Sequence, residues 1–343
     1  MTVNSQRLLL AAAGAGGASG ATDIALAHSN SPYLNVYPWD PDNGFGTKYA
    51  NPSTLPKFQG DTVSWRTGGT DIAVVTNFSP FVWVYPWDEG FGTKYSDPST
   101  LPPGDGFDVA FSPDGNDIAV AHSGSPCISV YSWSSSGFGT KYADPATSPG
   151  SGGAVAWSPD GNDIAVASGS GARVNVYPWS SGFGVKYSDP STSLPSSARR
   201  IVWSPDGSDL AVGHTSSPFI TVYAWSSGFG SKYSDPSTLP ASHGSGVDWS
   251  PDGNDIAVAH SFSPFVTAYP WSSGFGTKYA NPSTLPQDNC ACVAFSPDGS
   301  AIVVGNTGST HIDAYAWSSG FGSRYSDPST TPGDVNSIAF KPV

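Results

Sequence analysis

Polar and apolar positions alternate in short runs along residues 107–144, and turn residues separate the runs. Phe107-Asp108-Val109-Ala110-Phe111 alternates and stops at Ser112-Pro113-Asp114-Gly115. Proline presets φ there, aspartate tolerates the turn and glycine takes the left-handed position, so the run predicts a strand entering a tight hairpin. Asp117 to His122 is a second, apolar run, closed by Ser123-Gly124-Ser125-Pro126, and Cys127 to Trp133 alternates again. A turn over Ser134 to Gly139 leads into Thr140-Lys141-Tyr142. Asp144-Pro145 ends that last strand, because proline cannot donate to a ladder. With no helical stripe anywhere, the stretch reads as four short antiparallel strands.

The unit recurs seven times, anchored by Tyr-x-Trp at Trp39, Trp87, Trp133, Trp179, Trp225, Trp271 and Trp317, with a first step of 48 residues and later steps of 46. A fixed period in this range marks a solenoid, propeller or array. The Gly-Phe-Gly turn and the second strand each occur seven times, but the seventh copy of the first strand is the C-terminal Ser337-Ile338-Ala339-Phe340. The chain therefore opens on a second strand and closes on a first strand. This predicts an all-β, seven-bladed β-propeller with four antiparallel strands per blade. The C-terminal strand joins the N-terminal blade, which removes exposed sheet edges. Residues 1–20 form a Gly/Ala-rich arm outside the repeat, and residues 21–343 form the propeller.

The sequence Val155-Ala156-Trp157-Ser158-Pro159-Asp160-Gly161, the Asp-Ile-Ala-Val-Ala that follows it and the strand ending in Tyr-x-Trp resemble the WD40-like propellers over about residues 21–343. The Trp-Asp pair of that family is present only at Trp39-Asp40 and Trp87-Asp88. The wording His260-Ser261-Phe262-Ser263-Pro264-Phe265 is similar to repeat proteins of bacteriophage and prophage tails or virions. That resemblance implies a virion component, made in the host cytoplasm.

Charge narrows the partners. The net charge of −13 argues against nucleic acid, whose binders carry basic stripes. Seven of the 14 Lys and Arg residues are one periodic position, Lys48 to Arg324, and so are spread around the ring. No apolar run approaches the roughly 18 residues of a membrane span, so no membrane insertion is expected. Cys290-x-Cys292 is too short for a Cys-x-x-Cys motif, and Cys127 stands alone, so no disulfide, metal or cofactor is expected. Arg7-Leu8-Leu9-Leu10 begins an apolar stretch soon diluted by glycine, which reads as a tether to other virion proteins rather than a cleaved signal peptide.

Candidate chemistry is sparse. G-x-S-x-G, H-E-x-x-H, P-loop and EF-hand patterns are all missing, and the Asp-rich turns recur in every blade, as turn residues do. The second strand ends at a polar position in each copy: His28, Thr76, His122, Ser168, His214, His260 and Asn306. Ser, Thr and Asn serve as well as His there, which favours hydrogen bonding within each blade over a metal site. Strand parity puts the inter-blade loops and the loops after the second strand on one face, where the copies differ. Lys57, Phe58, Arg199, Arg200, His243, Asp288 and Asn289 are the candidate partner-binding residues on it. Trp83 replaces Asn35, Ser129, Asn175, Thr221, Thr267 and Asp313 of the other copies, and suggests either an interface residue or local packing. The expectation is a non-enzymatic structural or interaction protein of a virion, displaying a rigid propeller. A lectin-like propeller binding a surface glycan or host receptor is the alternative. A propeller enzyme would need a cluster of perturbed carboxylates at the channel mouth.

Overall fold

The computed structural model describes residues 22–170 and 173–343. The arm at 1–20, with its candidate tether residues Arg7, Leu8, Leu9 and Leu10, lies outside the described residues.

Each hairpin between the first and second strands is set by its Ser-Pro-Asp-Gly turn. In blade 4 the Ser158 hydroxyl donates to Asp160 (2.6 Å) and accepts the Asp163 N–H (2.9 Å), while Gly161 takes φ +74°. The turn aspartate is thus consumed by local hydrogen bonds. The strands of this blade run Gly152–Trp157, Asp163–Ser168 and Val174–Pro178, antiparallel, with Val155 opposite Val166 and Val166 opposite Asn175. The second strand is buried along its whole length in six blades and from Asp23 onward in the N-terminal one, because both its faces meet neighbouring blades.

Seven such sheets close into a ring. The C-terminal strand Val335–Phe340 pairs with Thr22–His28 in the N-terminal blade, with Ala339 opposite Ala25. Four blades carry a fourth, outer strand, whereas blades 2, 4 and 6 have three strands plus a single bridge at Trp87–Phe91, Trp179–Phe183 and Trp271–Phe275. The expected fourth strand is reduced there because only the phenylalanine of Gly-Phe-Gly stays on the ladder before the chain leaves it toward Asp/Asn-Pro. That phenylalanine packs edge-on against the blade tryptophan at 4.9–5.1 Å in all seven blades, a geometry worth about 0.5–1.5 kcal/mol beyond its buried area.

Neighbouring blades are clasped by the same tryptophan. Its indole N–H donates to the first aspartate of the preceding blade's second strand at six junctions, over 2.9–3.3 Å, as in Trp271–Asp209 and Trp317–Asp255. At the seventh junction that aspartate is Ala301, and among the described residues the buried Trp39 Nε1 has no partner. The inner strands follow one another around the ring and line a central channel.

Candidate active site in the channel

Each inner strand carries one bulge near its start, where two of its residues oppose one on the second strand. A bulge re-aims the extra side chain. The seven bulged residues are Asp61, Phe107, Gly153, Arg199, Ser245, Ala291 and Asn336, and all seven line one cavity of about 560 Å³ at the mouth on the loop face. Around the ring this position is never the same twice, in contrast to the valines and isoleucines two residues later, which hold the core.

Asp61 is the carboxylate of this mouth. Burial pushes its pKa up to about 6, opposed by a hydrogen bond from Gln59 Nε2 (3.3 Å) and by the positive charge of Arg200. Three blades further round, Arg199 and Arg200 stand on the opposite wall. The Arg200 side chain crosses the channel: its Nη1 lies 3.5 Å from Thr62 Oγ1 in blade 2 and 3.7 Å from Asp108 Oδ1 in blade 3. Both contacts are long, so most of the guanidinium's donors remain available to a ligand. Asp108 is buried, which raises its pKa, while Arg200 and the backbone N–H of Val155 (2.9 Å to Oδ2) oppose the rise. Asn336 Nδ2 donates to the Gly60 carbonyl (2.9 Å) and stiffens the wall beside Asp61. No group of three His, Cys, Asp or Glu that could hold a metal occurs among the described residues.

Below Arg200 the channel continues into a second cavity of about 520 Å³, reaching the prolines of the turn face. Arg200 lines both cavities and separates them.

The structure distributes the sequence-predicted residues unevenly. Arg199 and Arg200 reach the mouth, and His243 sits beside it, half-buried, with Nε2 2.7 Å from Ser261 Oγ. Burial and the nearby Arg199 lower the His243 pKa. Lys57 and Phe58 are exposed on the rim, where the Phe58 ring stacks on Phe78 at 5.4 Å with Lys57 over the far ring. Asp288 and Asn289 are exposed, and the Asp288 carboxylate caps the Asn289 N–H (2.7 Å). Of the two readings of Trp83, an interface residue or local packing, its surroundings favour packing. It is 4% exposed, its Nε1 donates to Thr76 Oγ1 (3.3 Å), and its counterparts in the other blades are equally buried, so the position is not solvated. Lys94 Nζ covers its ring at 4.9 Å. The polar ends of the second strands hydrogen-bond within their blades, as in His214–Thr221 (3.0 Å) and Asn306–Asp313 (2.7 Å). Sequence reasoning missed Asp61, Asp108 and Asn336. The signal was present in the columns of the first strand that change from blade to blade.

No protein-family model matches the sequence, and no curated protein matches it. Solved structures do resemble it. A candidate 6-phosphogluconolactonase from Bacteroides fragilis superposes with a TM-score of 0.72 at 11% identity, covering 95% of this chain and 99% of that one. The periplasmic gluconolactonase of Pseudomonas aeruginosa does so with a TM-score of 0.67 at 15% identity, covering 94% and 99%. The β-propeller domain of Cps50 (Swd1) from Myceliophteria thermophila gives 0.61 at 11% identity, covering 85% and 96%. At such identities the likeness carries the fold. It nevertheless overturns the expectation of a non-enzymatic virion protein and its lectin-like alternative. Two of these three propellers are lactonases by name, and nothing in the comparisons points to a phage particle. Of the cluster of perturbed carboxylates that an enzyme would need at the channel mouth, the cavity there holds one, Asp61.

Proposed function

We propose that the chain is a hydrolase of small polyhydroxylated lactones, acting at the channel mouth. The observation that carries this reading is a raised carboxylate, Asp61, facing two guanidinium groups, Arg199 and Arg200, across one cavity. The likeness to lactonase propellers supports it at the level of fold.

The chemistry follows from those charges. Above pH 6 the Asp61 carboxyl is mostly ionised, yet basic enough to take a proton from water. The hydroxide attacks the lactone carbonyl carbon, and the tetrahedral oxyanion forms against the guanidinium of Arg200 or Arg199. Collapse breaks the ring C–O bond, and the leaving alkoxide recovers the proton from Asp61. The products are a hydroxy acid and the original carboxylate. Asp108 touches no reacting atom and positions Arg200.

Initial rates on glucono-δ-lactone and its 6-phosphate, corrected for spontaneous hydrolysis, test the reading. Saturable acceleration is expected, with kcat reduced about 100-fold in Asp61→Asn and KM raised roughly 10-fold in Arg199→Ala. No acceleration by the wild-type protein on aldonolactones or their phosphates would end the proposal.

A further inference from the structure

The chamber below Arg200 is distinct from the proposed hydrolytic mouth. Its wall contains one whole tier of the inner strands: Ser64, Ala110, Ala156, Val202, Asp248, Ala294 and Ala339. Six members are small or apolar, and one carries a charge. Trp65, Phe111, Trp157, Phe295 and Phe340 add to the same wall, and Pro113, Pro297 and Pro342 form its lip on the turn face.

Asp248 is only partly paid for by the protein. Its Oδ2 accepts the Phe295 N–H of the next blade at 2.8 Å, and no cation lies within ion-pair distance of it among the described residues. A carboxylate on an apolar wall without a counter-charge is costly, and burial pushes its pKa up to about 7. If its role were only to cap the Phe295 N–H, a neutral side chain would serve. Two residues earlier along the first strand, in the Asp108 column, the neutral Ser337 of blade 1 caps an N–H of the next blade in just this way, accepting from Val63 at 3.3 Å. Asp108 and Arg200 also line the chamber, but they face each other at 3.7 Å, so Asp248 is the one charge on the wall left without a counter-charge, with apolar surface beside it. A metal ion lacks its remaining donors, an anion is repelled, and a neutral guest leaves the charge unmatched.

We propose that this chamber is a binding site for a small organic ammonium ion, whose charge pairs with Asp248 and whose alkyl groups lie against the tier of alanines and Val202. The volume of about 520 Å³ accommodates a guest of that size with its remaining water. Entry is from the turn face, so occupancy does not require displacement of Arg200.

Titration of the full chain with choline, followed by calorimetry and tryptophan fluorescence, tests this. 3,3-Dimethylbutanol serves as the neutral isostere. The expected result is saturable choline binding at least 10-fold tighter than that of the alcohol, weakened at least 10-fold in Asp248→Asn and unchanged in Asp61→Asn. Ser64→Leu fills the chamber while keeping the carboxylate, and should also weaken choline binding; it keeps the proposal falsifiable if Asp248→Asn fails to fold. Equal binding of choline and the alcohol, no saturable binding, or choline binding indifferent to both chamber variants would overturn it. Binding lost in Asp61→Asn but kept in Asp248→Asn would place the cation at the mouth and overturn it equally.

Discussion

At the residue scale, the same polar position does different electrostatic work depending on its occupant. His28, His122, His214 and His260 end their second strands fully buried, and burial lowers each pKa to about 4. An unfolded histidine binds its proton below about pH 6.5. The unfolded chain therefore takes up more protons than the folded one between that pH and about 4. Stability from these residues is complete above pH 6.5 and is lost as pH falls through that window. Asp61 and Asp248 oppose this, since their raised values make the folded state the better proton acceptor between the ordinary carboxylate range and pH 6–7. Burial raises Asp108, Asp117, Asp163, Asp209 and Asp313 in the same sense, so the histidine contribution is isolated by substitution rather than read from the total. His214→Asn, which installs the residue used at Asn306, should remove roughly a quarter of the histidine-linked loss. Urea midpoints at pH 7 and pH 4.5 measure it, and an unchanged difference would contradict the assignment. None of this was legible in the sequence beyond the polarity of the column, because the pKa values depend on the neighbouring blade that buries it.

At the element scale, the clasp between blades makes a sharper prediction. Six junctions hold an indole N–H against an aspartate, while Trp39 Nε1 lies at the Ala301 junction and has no partner among the described residues. An orphaned buried donor costs about 1–3 kcal/mol. Asp209→Ala should destabilise by about that amount, because it leaves Trp271 as Trp39 already is. Ala301→Asp should instead gain about 1 kcal/mol in denaturant unfolding, since Trp39 can then donate to it and Tyr325 packs beside that indole at 5.2 Å. Loss of stability in Ala301→Asp would mean the seventh junction cannot admit a carboxylate. The blade order, the turns and the one-plus-three closure were readable from period and turn chemistry, because those depend on contacts within one repeat. The shortened outer edge in blades 2, 4 and 6 was not, because Gly-Phe-Gly reads alike in all seven copies.

At the scale of the whole molecule, the ring sorts its residues by radius. Outer and middle positions repeat and hold the fold, whereas the bulged and inward positions of the first strand diverge and face the channel. Sequence reasoning found Arg199 and Arg200 as unlike loop residues but separated them from Asp61, which lies about 140 residues earlier and is brought opposite them only by closure of the ring. The net charge of −13 does not govern the mouth, since beyond a Debye length of about 8 Å most of it is screened and the two arginines dominate locally. The central claim, that Asp61 is the base of a hydrolytic site, is tested most directly by kcat/KM for glucono-δ-lactone between pH 5 and 8 in the wild-type protein and Asp61→Asn. The account predicts a rise with pH that levels above an apparent pKa near 6, and loss of both the activity and the inflection in the variant. A profile without that inflection, or one that survives in Asp61→Asn, would contradict it.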